Sequence, residues 1–152
     1  MNFDTRARLN LSNSNSIEFV IRSYEFKFDG RFLPSMTLSD SGDPLVLLKD
    51  NFKISKKLDR HTVELSTLCA RGIVIPLIEI FVTIDALSTF SYKLHTARIH
   101  SHSVDGLSGY TGGHWEQLDL SFCKIVWSME SKDSSMSGSN SLNTGEDRGL
   151  CI

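Results

Sequence analysis

Two stretches of this chain alternate apolar and polar residues and then change phase partway along. That pattern constrains the fold more than anything else in the sequence. In the first stretch the apolar positions run Ile17, Phe19, Ile21 and then Tyr24, Phe26, Phe28. In the second they run Leu118, Leu120, Phe122 and then Ile125, Trp127, Met129. A period of two belongs to a strand with one buried face, and a slip of phase within a strand needs an extra residue. A bulge or bend is therefore predicted near Arg22 and Ser23 and a bulge near Cys123, and bulges help a sheet curl into a barrel.

The rest of the chain also reads as mostly β. Ala7, Leu9 and Leu11 alternate with polar residues, and Ser12-Asn13-Ser14-Asn15-Ser16 supplies turn chemistry before the next strand. Short strands are predicted at Leu45 to Leu48 and Phe52 to Ile54, and longer ones at Leu77 to Thr83, Phe90 to Ser103 and Leu118 to Met129. Between them, Asp29 to Pro44 holds two prolines and two glycines and reads as a long connection, a kind of loop that is more often functional than idle. Gly106 to Gly113, with four glycines, reads as a second loop. One helix is predicted, at about 62–71. Thr62 is its expected N-cap, Leu65, Leu68 and Cys69 share one face, and Gly72 supplies the left-handed residue after its end.

At 152 residues the chain is expected to form one domain with a real core. From Ser131 onward six serines, three glycines and two asparagines leave little to bury. The expected division is a folded domain at 1–130 and a Ser/Gly-rich tail without fixed structure at 131–152. A formal net charge of −2 gives no broad basic surface, so nucleic acid is not an expected partner. Met1 to Asn10 has no apolar run behind its charges and does not read as a secretory signal. The longest apolar run, Ile73 to Ile84, is broken by Pro76 and Glu79 and falls short of the roughly 20 residues a membrane helix needs. A soluble chain made in the cytoplasm is the expectation, with no membrane partner.

Candidate chemistry is sparse. Cys69, Cys123 and Cys151 show no metal or redox spacing; the first two read as small core residues and the third as an exposed tail thiol. His100 and His102 fall on one face of a regular strand, where a metal could recruit His95 or His114, but His95 has the opposite parity. Cys69 and His61 could be imagined as nucleophile and base, yet they sit at opposite ends of one short helix. Gly106-x-x-Gly109-x-x-Gly112-Gly113 precedes a strand, so it lacks the helix N-terminus that a phosphate cradle uses. Trp115 reads as a loop-edge aromatic and Trp127 as a core or interface residue. The expectation is no catalytic residue, no cofactor and no metal.

Three segments in order carry a resemblance. Phe52-x-Ile54-x-Lys56-x-x-Asp59 is followed by Thr62, Leu65, Cys69 and Gly72 at ungapped spacing, and then by Pro76. Tyr92 through Ser103 forms a long central strand. Gly112, Gly113 and Glu116 precede Leu118-x-Leu120-x-Phe122-x-Lys124-Ile125. Together these resemble the Hcp family, the tube proteins of bacterial type VI secretion. The resemblance implies a mainly β fold, a small β-barrel of two packed antiparallel sheets with one short flanking helix. It also implies self-assembly into hexameric rings that stack into a tube, with the loop Asp29 to Pro44 as the stacking element. The implied partners are sheath, spike and effector proteins, and the implied route out of the cell is type VI secretion. Val63 stands where relatives often place proline, the loop is poor in glycine, and the tail is serine-rich. Those departures motivate an alternative, a divergent Hcp-like secreted or effector-binding module that does not form tubes.

Overall fold

The structure, a computed structural model, describes residues 4–27, 52–106, 113–132 and 140–148. Within them the chain forms β1 (Thr5–Asn10), β2 (Ser16–Ile21), β3 (Ser23–Glu25), β4 (Phe52–Lys57), α1 (Thr62–Ala70), β5 (Ile75–Thr83), β6 (Ser88–Gly106), β7 (His114–Lys132) and β8 (Asn140–Arg148). The expected strand at Leu45 to Leu48, the loop Asp29 to Pro44 and residues 107–112 of the glycine loop lie outside the described residues.

The strands make one antiparallel sheet in the order β2-β1-β5-β6-β7-β4-β3, with β8 added to β7. The expected mainly β architecture with one short helix is present, its strands joined in one curled sheet. Its two end strands are consecutive pieces of a single bent strand. β2 ladders on β1, with Ile17 opposite Leu9 and Phe19 opposite Ala7, whereas β3 ladders on β4, with Tyr24 opposite Ile54. The change of partner happens at Arg22, whose backbone N–H donates to the Ser55 carbonyl at 2.8 Å. Arg22 and Ser23 are both exposed, so Ile17, Phe19 and Ile21 point inward on one side of the bend and Tyr24 and Phe26 on the other. This is a bend at the predicted place, and it lets the sheet curl into a barrel that is closed along β3 and open along β2.

The interior is filled by the inward phase of every strand: Ala7, Leu9, Ile54, Ile78, Ile80, Leu94, Ile99, Leu118, Leu120 and Ile125 are all buried. Each of the larger ones contributes about 1.5–3 kcal/mol by leaving water. β6 and β7 form a 19-residue hairpin on each side, and their phase change is made differently from the prediction. The register holds across Cys123, with His95 opposite Lys124 and Ala97 opposite Phe122. The break lies on β6 instead. There Thr96 takes a φ of 52°, and the register slips by one residue between Ile99 and Ser101, at His100.

The helix lies on β6 with Leu65 fully buried and Leu68 and Cys69 packed against the core, the face predicted. Its end is closed by Gly72 at φ 60°, whose N–H donates to the Cys69 carbonyl at 3.1 Å while Ile73 N–H reaches Leu68 O at 3.1 Å. Its start differs from the prediction. His61 is the N-cap and makes no side-chain capping bond, and Thr62 is the first helical residue.

Two further expectations change. Within the serine-rich stretch, residues 140–148 form β8, which runs antiparallel to β7 from Lys132↔Asn140 to Lys124↔Arg148. A ladder is made by backbone groups, so a polar sequence can join a free strand edge without an apolar face of its own. Cys123, read as a core thiol, is disulfide-bonded, and Cys69 is the free thiol among the described residues. Cys151 lies outside them.

An aromatic cluster fills the barrel near β3. Tyr92 meets Phe90 at 4.8 Å, Phe52 at 5.0 Å and Tyr24 at 5.7 Å between ring centroids. Burial, with Tyr24 beside it, pushes the Tyr92 phenol up to about 12. An unfolded tyrosine ionises near 10, so the unfolded chain gives up this proton first. The contribution is intact below about pH 10 and is lost as pH rises towards about 12. Tyr92→Phe is expected to flatten the loss of stability on going from about pH 9 to about pH 11, measured by urea unfolding. An unchanged slope would show that Tyr92 does not set it.

Candidate functional site: a buried ion pair and the groove beside it

On β4 the inward phase runs Phe52, Ile54, Lys56, and on β7 it runs Glu116, Leu118, Leu120. The register places Lys56 opposite Glu116. Both side chains are fully buried, so a cation and an anion face each other inside the barrel. Lys56 Nζ donates to Glu116 Oε2 at 2.8 Å and to the Lys57 carbonyl at 2.8 Å, and it pairs with Asp59 Oδ1 at 2.9 Å. Its three N–H groups are thereby matched, and the ammonium also lies 5.1 Å from the centre of the Phe19 ring. Glu116 Oε2 accepts a second bond from Thr62 Oγ1 at 2.5 Å, and Oε1 lies 3.1 Å from His102 Nε2.

Thr62 is therefore drawn away from capping. Its hydroxyl oxygen accepts the Asp59 N–H of the preceding turn at 2.9 Å instead of a helix N–H, while its proton goes to the carboxylate. Asp59 Oδ1 in turn accepts the His61 N–H at 2.8 Å. β4, the turn after it, α1, β6 and β7 are joined through one pair of charges, and no buried side-chain nitrogen or oxygen among the described residues lacks a partner. Partial burial pushes the Asp59 carboxyl up. The bonds from Lys56 and the His61 N–H, with the Lys56 charge, outweigh that and hold it below its ordinary value.

Outside this network the barrel carries an open groove of about 620 Å³ between β2 and the β4–α1 turn. Trp115 forms part of its wall. The Arg22 guanidinium lies 4.0 Å from the centre of the indole ring and Lys57 Nζ 5.9 Å from it. Trp115, Lys57 and Arg22 all belong to the outward phase of their strands.

The histidine pair considered from the sequence is separated by the bulge. His100 is exposed at the register slip, while His102 turns inward onto Glu116. Among the described residues no group of three or more His, Cys, Asp or Glu could hold a metal. Cys69 is on the packed face of α1 and His61 is at the opposite end of that helix. Of the glycine loop, Gly106 and Gly113 flank β6 and β7, and the segment leads into a strand. The Lys56–Glu116 pairing was not anticipated. Its signal was nonetheless present, since each is a charged residue on the buried phase of an apolar strand.

Removing one partner of a buried pair strands the other charge. Lys56→Met is expected to cost about 3–5 kcal/mol in urea unfolding, and Lys56→Met with Glu116→Leu to cost less than Lys56→Met alone. A double variant as unstable as the single would count against the pair. The carboxyl of Asp59 is depressed, so its contribution is present above the unfolded value of 3.8 and lost as pH falls through the folded one. Asp59→Asn should remove part of the acid-side loss of stability; an identical acid profile would refute this.

No family model matches the chain, and no curated protein matches it in sequence. Solved structures do match in shape. The secreted protein Hcp3 from Pseudomonas aeruginosa superposes with a TM-score of 0.65 at 12% identity, over 99% of this chain and 100% of that one. Hcp1 from Salmonella typhimurium gives 0.61 at 14%, over 95% and 94%. A protein described as a type six secretion system protein gives 0.64 at 17%, over 95% and 93%. Agreement of this kind, end to end and at so little identity, is agreement of backbone architecture: the chain has the Hcp fold.

Proposed function

We propose that this protein is a structural subunit of a type VI secretion tube, assembling into hexameric rings that stack and carry effectors. The observation that carries the reading is the near-complete coverage of both chains in the superpositions on Hcp proteins, one of which is described as secreted. The part asked of the protein is docking, and catalysis has no place in it. A ring of identical subunits joins two different faces of neighbours and closes when the rotation returns on itself. A near-neutral net charge of −2 keeps self-repulsion between copies small.

Sheath, spike and effector proteins are the partners this role brings, and export by the type VI route follows from it. Among the described residues no helix is long and apolar enough to cross a membrane. The loop Asp29 to Pro44 is the segment assigned to ring stacking. Size-exclusion chromatography with light scattering is expected to give a particle of about six subunits, and negative-stain microscopy to show rings that stack at high concentration. A strict monomer at every concentration would overturn the reading, and rings that never stack would favour the divergent module over the tube subunit.

A further inference from the structure

We propose that the groove between β2 and the β4–α1 turn binds an extended acidic peptide, which adds to the free edge of β2 as a further strand. The inference is independent of tube formation. Its first support is the backbone. Among the described residues β2 pairs only with β1. The Leu11 N–H donates to Asn15 O at 2.8 Å at the hairpin end, and in an antiparallel ladder the bonded pairs alternate from there. Ile17, Phe19 and Ile21 therefore bond to β1, while Glu18 and Val20 turn their N–H and C=O groups the other way, into the groove. Arg22 follows the same alternation, since its N–H points to β4. The edge is thus available at Glu18 and Val20, just before the bend where β4 takes it over. A free edge of this kind is what strand addition uses, with backbone bonds for affinity and side-chain pockets for selectivity.

Charge supplies the second support and selects the occupant. Arg22, Lys57 and Arg60 all line the groove, are exposed, and have no carboxylate partner among the described residues. The two acids beside them are already engaged. Glu18 pairs with Arg6 at 3.0 Å and Arg8 at 3.5 Å, and Asp59 pairs with Lys56. The Arg22 guanidinium lies over Trp115, 4.0 Å from the ring centre, and a guanidinium held over a ring can still direct N–H groups to a carboxylate. Val20, 47% exposed, offers apolar contact along the same edge. The volume of about 620 Å³ is in the range of sites that hold ligands rather than single ions. Cations with no carboxylate partner among the described residues, an aromatic wall and an open strand edge together fit a segment that is extended and carries carboxylates on alternate residues.

The test uses the full chain and a capped peptide alternating valine and glutamate, with calorimetry as the readout. Saturable binding is expected. Replacing the glutamates by lysine, or methylating alternate backbone nitrogens of the peptide, should weaken it at least about tenfold. Lys57→Glu with Arg60→Glu, both on exposed positions, should do the same while circular dichroism and unfolding stay unchanged. Absence of binding would overturn the proposal, as would affinity indifferent to peptide charge, to methylation or to the two substitutions. If the peptide instead breaks up assemblies of the chain and binds only the freed subunits, the groove belongs to a neighbouring copy and the proposal also fails. Light scattering on the same samples separates the two readings: a monomer that binds the peptide sinks the tube and leaves the groove standing.

Discussion

The buried contact between Lys56 and Glu116 is the interaction on which the arrangement of the other parts rests. Two charges taken from water carry a desolvation cost that only close geometry and further hydrogen bonds can offset. Here the offset comes from Asp59, Thr62, His102 and the Lys57 carbonyl, drawn from the turn, the helix, β6 and β4. Each of those elements must be in place before the charges are satisfied. An apolar pair would pack against many arrangements, whereas this pair specifies where the helix begins and how the turn before it runs. The same contact sets the state of the seam between β2 and β4. Phe19, beneath the Lys56 ammonium, is buried, so the seam is sealed from within by side chains while its backbone edge stays open outside. The groove is a consequence of how the charge is housed.

Much of the fold was legible because period-2 patterning reports directly on which face of a strand is buried. The bend at Arg22 follows from Ile21 and Tyr24 both needing the interior, with two residues between them. The helix end was legible for an equally local reason, since Gly72 occupies a left-handed position that other residues rarely take. What escaped depended on competition between distant groups. Thr62 is a good capping residue by type, but its hydroxyl oxygen accepts the Asp59 N–H and its proton goes to a carboxylate 54 residues away. The phase change in β7 is visible in its sequence, but the backbone irregularity facing it sits on β6, at Thr96 with a φ of 52°. β8 escaped because laddering uses backbone groups that every residue has, and composition is blind to a vacant edge. Lys56 and Glu116 were seen as family positions, and counting their parity against Ile54 and Leu118 would have paired them.

Identities of 12–17% with folds that superpose over nearly the whole chain have a physical reading. A barrel of this kind asks for inward apolar residues of suitable size, and many combinations satisfy that requirement. Fewer choices are open where a residue must take positive φ, as Gly72 does after the helix, or where one buried charge must be matched by another, as at Lys56 and Glu116. The segment from Phe52 to Gly72, the first of the three that carry the resemblance, contains Gly72 and Lys56, and the third contains Glu116.

Arg22 shows how tightly the surface is bound to the architecture. Its backbone N–H moves the strand from one partner to the next. Its side chain, thrown outward by the bend, lies on Trp115. Trp115 stands opposite Lys57 in the ladder, one residue from the buried Lys56–Glu116 pair. The backbone event that lets the barrel close therefore also positions the cation that meets whatever enters the groove. Lys57 and Trp115 keep their outward positions for as long as the barrel does, because a one-residue slip of β4 on β7 that turned either of them would also turn Lys56 or Glu116 out of the core.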